Sequence, residues 1–231
     1  MKKLIAAAIA VMVLLFVTWF YVRPDAGGYA VHGVDVSHYQ GEIDFDALAA
    51  QGMRFAFIKA TEGSTWVDEY LEKNLAGVQT APMRPGFYHF FSYDSPGSTQ
   101  AENFIANVPA LEGMLPPVID VEFYGGYYKD PAGKEQVTRE LRDMVQALEA
   151  HYGMKPVIYC TGKAYRLYIR EAFEDCDLWI RSVYTRPLPG MDWTFWQYTD
   201  SAKLGGYSGK EECIDVNVFR GTAEEFFGYP Q

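Results

Sequence analysis

Cysteine is scarce: Cys160, Cys176 and Cys213 are the only three in 231 residues. An odd count allows at most one bridge, and the spacing fits no zinc pattern, so neither a disulfide scaffold nor a zinc module is expected. The four histidines, His32, His38, His89 and His151, show no metal-ligand spacing and no H-E-x-x-H, and no metal or cofactor is expected. There is no G-x-S-x-G elbow to support a serine hydrolase, and no glycine-rich phosphate loop. Repeats and low-complexity runs are missing. Basic charge is also short, with 20 Lys and Arg against 30 Asp and Glu. The first 23 residues hold three of the bases (Lys2, Lys3 and Arg23) and no acid, leaving 17 against 30 and a net of −13 for the rest. Such a body has no polyanion footprint, so nucleic acid and anionic lipid headgroups are not expected as partners.

The N-terminus reads as a separate object. Two lysines precede an apolar run over residues 4–22, broken only by Thr18. At about 1.5 Å per residue it nearly crosses a hydrocarbon core of about 30 Å, and it exceeds the usual signal core of about 7–15 residues. Trp19, Phe20 and Tyr21 close it as an interfacial belt would. An uncleaved signal anchor with the lysines inside is expected, with cleavage near Ala26-Gly27-Gly28 as the alternative and a buried core helix as the third reading. Both of the first two export the body. The division is residues 1–28 for this segment and 29–231 for the body, with membrane contact only through 4–22.

Short apolar, β-branched or aromatic runs recur at 33–37, 55–62, 86–91, 117–122, 156–160, 178–183, 194–199 and 214–219, each predicting a strand. Helix-like stretches lie between the early ones, at 44–52, 68–79, 99–108 (Ser98 or Thr99 capping, Glu102 suiting a capping box), 133–151 and 163–173. After residue 178 no useful helical period remains until 222–227. Alternation of strands and helices implies parallel strands with right-handed crossovers. The expected fold is α/β: an irregular eight-stranded TIM-like barrel, five β/α units followed by three strands with short connections. In it Cys160 and Cys176 fall at opposite ends of neighbouring strands, roughly 13–16 Å apart, beyond the about 7 Å that a bridge permits.

Barrel chemistry sits where strands end. In Val118-Ile-Asp120-Val-Glu122 the two acids share a face, with Cα atoms about 6.6 Å apart, and are costly to bury. One would keep a proton beside an ionised partner, the pairing that glycoside hydrolysis uses; a structural pair held by Arg or Lys is the plainer reading. Asp35, between Val34 and Val36, and Asp215 with Asn217 repeat the arrangement on the first and last strands, which neighbour each other in a closed barrel. Four inward carboxylates favour a catalytic cleft. Aromatics gather at strand ends (Tyr88, Phe90, Tyr93, Tyr124, Tyr127, Tyr128, Tyr159, Trp179, Trp196, Tyr198) and suit the flat faces of sugars, although any single ring could be core. His89 reads as a packing histidine, and Cys160 lacks a base that would make it a nucleophile.

Taken in order, these residues resemble glycoside hydrolase family 25, the Chalaropsis-type lysozymes, across about residues 33–219. The series runs Asp35-Val-Ser-His-Tyr-Gln40-Gly41, Phe57-Ile-Lys-Ala-Thr-Glu62-Gly63 with Asp68 following, Gly86-Phe-Tyr-His-Phe-Phe91, Pro117-Val-Ile-Asp-Val-Glu122, Leu178-Trp-Ile180, Phe195-Trp-Gln-Tyr198 and Asp215-Val-Asn-Val-Phe219. Trp66 stands where the family more often has Phe, Tyr or Leu. The resemblance implies a muramidase (lysozyme) cutting the β-1,4 bond from N-acetylmuramic acid to N-acetylglucosamine in peptidoglycan. Glu122 would be the general acid. Asp120 would stay ionised and orient the substrate's 2-acetamido group in a substrate-assisted route, an exception to the two-carboxylate scheme. Asp35 and Asp215 would hold the sugar and raise the Glu122 pKa. Tyr88, Tyr159, Trp196 and Tyr124 would be further substrate contacts. A monomer acting outside the cytoplasm on peptidoglycan glycan strands is expected. A non-catalytic wall-binding barrel and an enzyme on chitin-like polymers are the competing readings.

Overall fold

The computed structural model describes residues 2–21 and 24–230. Helix α1 (Lys2–Tyr21) covers most of the apolar run, and Ile5, Ile9 and Met12 on it are exposed, so it is not a core helix. Val22, the end of the predicted span, lies outside the described residues, among which no helix is long and apolar enough to cross a membrane.

Among the described residues nine strands form one sheet: β1 (Val31–Val36), β2 (Met53–Glu62), β3 (Trp66–Val67), β4 (Arg84–Phe90), β5 (Val118–Val121), β6 (Val157–Thr161), β7 (Leu178–Arg181), β8 (Phe195–Ala202) and β9 (Ile214–Phe219). β1 pairs with both β2 and β9, so the sheet closes, while β3 is a short flap folded back on the end of β2. Neighbours from β1 through β2 and β4 to β8 are parallel. β9, one of the three strands expected to have short connections, runs antiparallel to both β8 and β1. The connection from β8 has no helix to carry a crossover, and a chain that turns back directly makes an antiparallel pair. The start of β9 therefore sits at the rim where the other strands end.

Helices α2 (Phe45–Ala50), α3 (Leu71–Thr80), α4 (Gly97–Asn107) and α5 (Lys134–Tyr152) follow β1, β3, β4 and β5. The fifth predicted helix is instead a short α6 (Gly162–Ala164) running into a five-residue π-helical turn, Tyr165–Ile169. The predicted cap of α4 is also different. Pro96 is its N-cap and makes no side-chain bond; the Gly97 N–H is met by Glu140 Oε2 of α5 at 3.0 Å. A Cβ on Gly97 would lie 1.7 Å from the Glu140 carbonyl oxygen, so glycine is what lets α4 and α5 come this close. α7 (Ala223–Gly228) carries a capping box, with Thr222 and Glu225 exchanging bonds.

The barrel interior is filled by rings. Phe55, Phe57, Trp179, Phe195 and Phe219 form one buried cluster, with Phe57 stacked on Trp179 at 4.4 Å. Gly33 and Gly86 leave room for these rings: a Cβ there would meet Phe55 at 2.4 Å and Phe57 at 2.5 Å. This apolar plug is the floor on which the polar end of the barrel rests.

Among the described residues no helix packs closely over the outer face of β8. The stretch just before β1 covers it instead: Ala26 is 2% exposed within the core, and Tyr29 meets Trp193 at 5.6 Å and Trp196 at 6.0 Å. The packed body thus reaches back beyond residue 29, the boundary expected from sequence. Tyr29→Ala is expected to lower the stability of the body by about 1–3 kcal/mol through lost ring packing, read as a drop in thermal midpoint with catalysis intact.

Candidate active site

Alternation along the strands places one polar side chain from nearly every strand inside the barrel, above the aromatic floor. Asp35 (β1), Lys59 (β2), Tyr88 (β4), Asp120 and Glu122 (β5 and the residue beyond it), Tyr159 (β6), Arg181 (β7), Gln197 (β8) and Asp215 (β9) line one cleft of about 270 Å³. Asp35 and Asp215 are direct partners across the β1–β9 pair, as strand adjacency suggested.

Gln197 organises one wall. Its Nε2 donates to Asp215 Oδ2 at 2.8 Å and to Asp35 Oδ2 at 3.0 Å, and its Oε1 accepts from the Tyr159 hydroxyl at 2.8 Å. Asn217 Nδ2 donates to Asp35 Oδ2 at 2.7 Å, and Asn217 Oδ1 accepts from Trp179 Nε1 at 2.8 Å. The chain of bonds ties the floor to the carboxylates and fixes both amides. Burial raises the Asp35 pKa, opposed by the bonds from Asn217 and Gln197. Asp215 is pushed up to about 9 by burial and by the charge of Asp35.

The other wall holds the pair on β5. Burial, then the charge of Glu122, raises Asp120 well above the ordinary carboxylate range, with Lys59 pulling the other way. Burial also raises Glu122, against the pull of Arg181. Asp120 is 5% exposed, and its Oδ1 has no hydrogen-bond partner among the described residues. Burial thus disfavours the charged form of both carboxyls, and at Asp120 the charge of Glu122 adds to it.

Of the six predicted substrate contacts, Asp35, Asp215, Tyr88 and Tyr159 lie on the cleft. Trp196 does not. It is wholly buried on the outer face of β8, its Nε1 donating to the Ser182 carbonyl at 3.0 Å. Since Phe195 faces the barrel interior, its neighbour Trp196 must face out and Gln197 in; the same alternation applied to the sequence would have found Gln197. Tyr124 also stands off the cleft, stacked on Tyr93 with its hydroxyl accepting from the Tyr93 N–H at 2.9 Å. Lys59, Arg181 and Gln197 are cleft residues that sequence reasoning did not single out.

His89 lies outside the barrel wall, bonded to Thr61 Oγ1 at 2.7 Å and Gln100 Oε1 at 3.0 Å. Burial lowers its pKa to about 4, so it stays neutral, a packing residue. Cys160 is buried with its thiol pushed well up, which removes it as a nucleophile. Among the described residues no group of three or more His, Cys, Asp or Glu is arranged to hold a metal ion.

Comparison with known proteins places this arrangement. The profile of Glycosyl hydrolases family 25 matches residues 34–207. A solved family 25 glycosyl hydrolase from Bacillus anthracis is 53% identical, with a TM-score of 0.85 over 92% of this chain and 98% of that one. Lysozyme M1 of Streptomyces globisporus is 32% identical, covering 84% of this chain and 69% of its own length. The Escherichia coli protein YegX is 34% identical, covering 91% of this chain and 76% of its own.

Proposed function

The chain belongs to glycosyl hydrolases family 25, and from that premise we propose that it is a peptidoglycan muramidase that cuts the β-1,4 bond from N-acetylmuramic acid to N-acetylglucosamine. Relatives named lysozyme and N,O-diacetylmuramidase support the activity. The observation that carries the roles is the buried, unpartnered Asp120 Oδ1 beside Glu122 in one cleft.

In this reading the N–H of the muramic acid 2-acetamido group donates to Asp120 Oδ1. That bond favours ionised Asp120 and moves the shared proton to Glu122. Glu122 then gives the proton to the glycosidic oxygen as the C1–O bond breaks. The acetamido carbonyl oxygen, aimed by Asp120, forms the new bond to C1. Water next attacks C1, reopens the ring so formed and yields its proton to Glu122, which restores the starting state. Asp35 and Asp215, fixed by Gln197, hold sugar hydroxyls, and the charge of Asp35 helps to keep Glu122 from ionising early. Tyr88 and Tyr159 wall the sugar ring.

The enzyme acts outside the cytoplasm, the residues ahead of the packed stretch at Ala26 serving as the targeting or anchoring segment and the rest as a monomeric catalytic body; the exposed apolar side chains of α1 and the buried Ala26 support that division. The test is digestion of peptidoglycan by the purified protein, borohydride reduction and mass spectrometry. Reduced muramic acid ends are expected. Reduced glucosamine ends would overturn the substrate register, and tight pelleting onto walls without any release would favour a binding barrel.

A further inference from the structure

Two neighbouring rings, His38 and Tyr39, meet a third from further along the chain, Trp66, at the rim of the cleft. The His38 ring sits 4.0 Å from that of Tyr39 and 5.6 Å from that of Trp66. Tyr39 is 52% exposed and Trp66 39% exposed, and Tyr39 also lines the cleft. Lys59, another cleft residue, holds its ammonium 4.7 Å from the centre of the Trp66 ring. The rings therefore continue the cleft outward.

Asp68 assembles this ledge. Its side chain is fully buried, and Oδ2 accepts from the His38 backbone N–H at 3.1 Å and faces His38 Nδ1 at 2.8 Å. Its own N–H donates to the Ala60 carbonyl at 2.8 Å, which folds β3 and Trp66 back over β2. The His38–Gln40 turn is fixed at its other end, where Gln40 Nε2 donates to Glu211 at 3.2 Å and the Gln40 carbonyl accepts from Gly209 N–H at 2.8 Å. A surface held from both sides loses little freedom on binding.

We propose that the His38–Tyr39–Trp66 ledge is a carbohydrate-stacking subsite that takes a further β-1,4-linked N-acetylhexosamine of the same glycan strand, beyond the sugars flanking the cut bond. This rests on the peptidoglycan-hydrolase reading of the cleft. Exposed rings offer flat apolar faces to the C–H face of a pyranose, and the Tyr39 hydroxyl and His38 ring offer hydrogen bonds at its edge. Lys59 is engaged by Glu62 Oε2 at 2.8 Å and by the Trp66 and Phe90 rings, so its ammonium is already partnered within the ledge. Trp66, the largest of the three rings, sets the width of the platform.

The test uses full-length protein carrying Glu122→Gln, so that substrate stays intact, and peptide-free peptidoglycan oligosaccharides of two and eight sugars, with affinity measured by calorimetry. Trp66→Ala in that background is expected to weaken binding of the octasaccharide roughly tenfold while the disaccharide loses less than twofold, and Trp66→Tyr is expected to restore most of the octasaccharide affinity. An equal loss on both lengths, or no loss on the octasaccharide, removes the ledge as a subsite. Failure of the wild-type protein to cut the octasaccharide, with no binding by Glu122→Gln, sinks the reading of the cleft itself and the ledge with it; normal cutting with an indifferent Trp66 sinks the ledge alone.

Discussion

Glu122→Gln is expected to lower kcat on peptidoglycan by about 10³-fold, the range in which a positioned general acid contributes. KM should change little, because the amide keeps the size of the carboxyl and most of its hydrogen bonding. Stability separates this outcome from a structural role. Burial raises the Glu122 pKa in the folded protein, so above the ordinary carboxylate range folding must either bury a charge or take up a proton. The carboxyl then costs stability at neutral pH, and that cost fades as pH falls below the pKa of the unfolded chain. Glutamine removes it. The variant should therefore melt at the same temperature as wild type or higher at pH 7, with no gain at pH 4. A thermal midpoint several degrees lower at pH 7 would mark Glu122 as a structural acid.

The barrel was legible because its strands announce themselves as short apolar runs and the early ones alternate with helical periods. The direction of β9 was not, because alternation in a strand says which side chains share a face and nothing about which way the chain runs. The same period placed Asp35, Asp120 and Asp215 inside the barrel and, read one step further, turns Trp196 outward in favour of Gln197. Period two fails outright at Ala60. β2 gains a residue there relative to β4, since Lys59 pairs with Tyr88 and Thr61 with the next residue, His89. The bulge turns Thr61 outward onto His89 and brings Glu62 to the inner side, where its carboxylate meets Lys59 three residues back. Nothing local marks Ala60 as the extra residue. The sequence likewise shows Asp68 only as an acid at a fixed offset, while its work lies in bonding to His38, thirty residues away. Long-range assembly of that kind has no periodic signature.

Asp120→Asn is expected to cost about 10²–10³-fold in kcat, because the amide still fills the site but no longer brings a negative charge to the acetamido N–H. Its pH profile is the sharper result. In the proposed mechanism the wild-type cleft works with one proton on the Asp120–Glu122 pair. Activity should fall on the acid side, where the pair takes a second proton and Asp120 is neutralised, and on the alkaline side, where the last proton leaves Glu122. Both carboxyls are raised by burial, and repulsion between them lifts the second ionisation further, so the alkaline limb should lie well above the range of an ordinary glutamate. With asparagine at 120 the acid limb vanishes, since no second group needs to ionise. The alkaline limb moves to lower pH, since Glu122 loses its anionic neighbour and gives up its proton more readily. Measured as kcat/KM against pH on a soluble glycan, the bell should become a single descending curve. A variant that kept a full bell with both limbs in place would show that Asp120 does not titrate with the reaction, and the acetamido group would then need another partner.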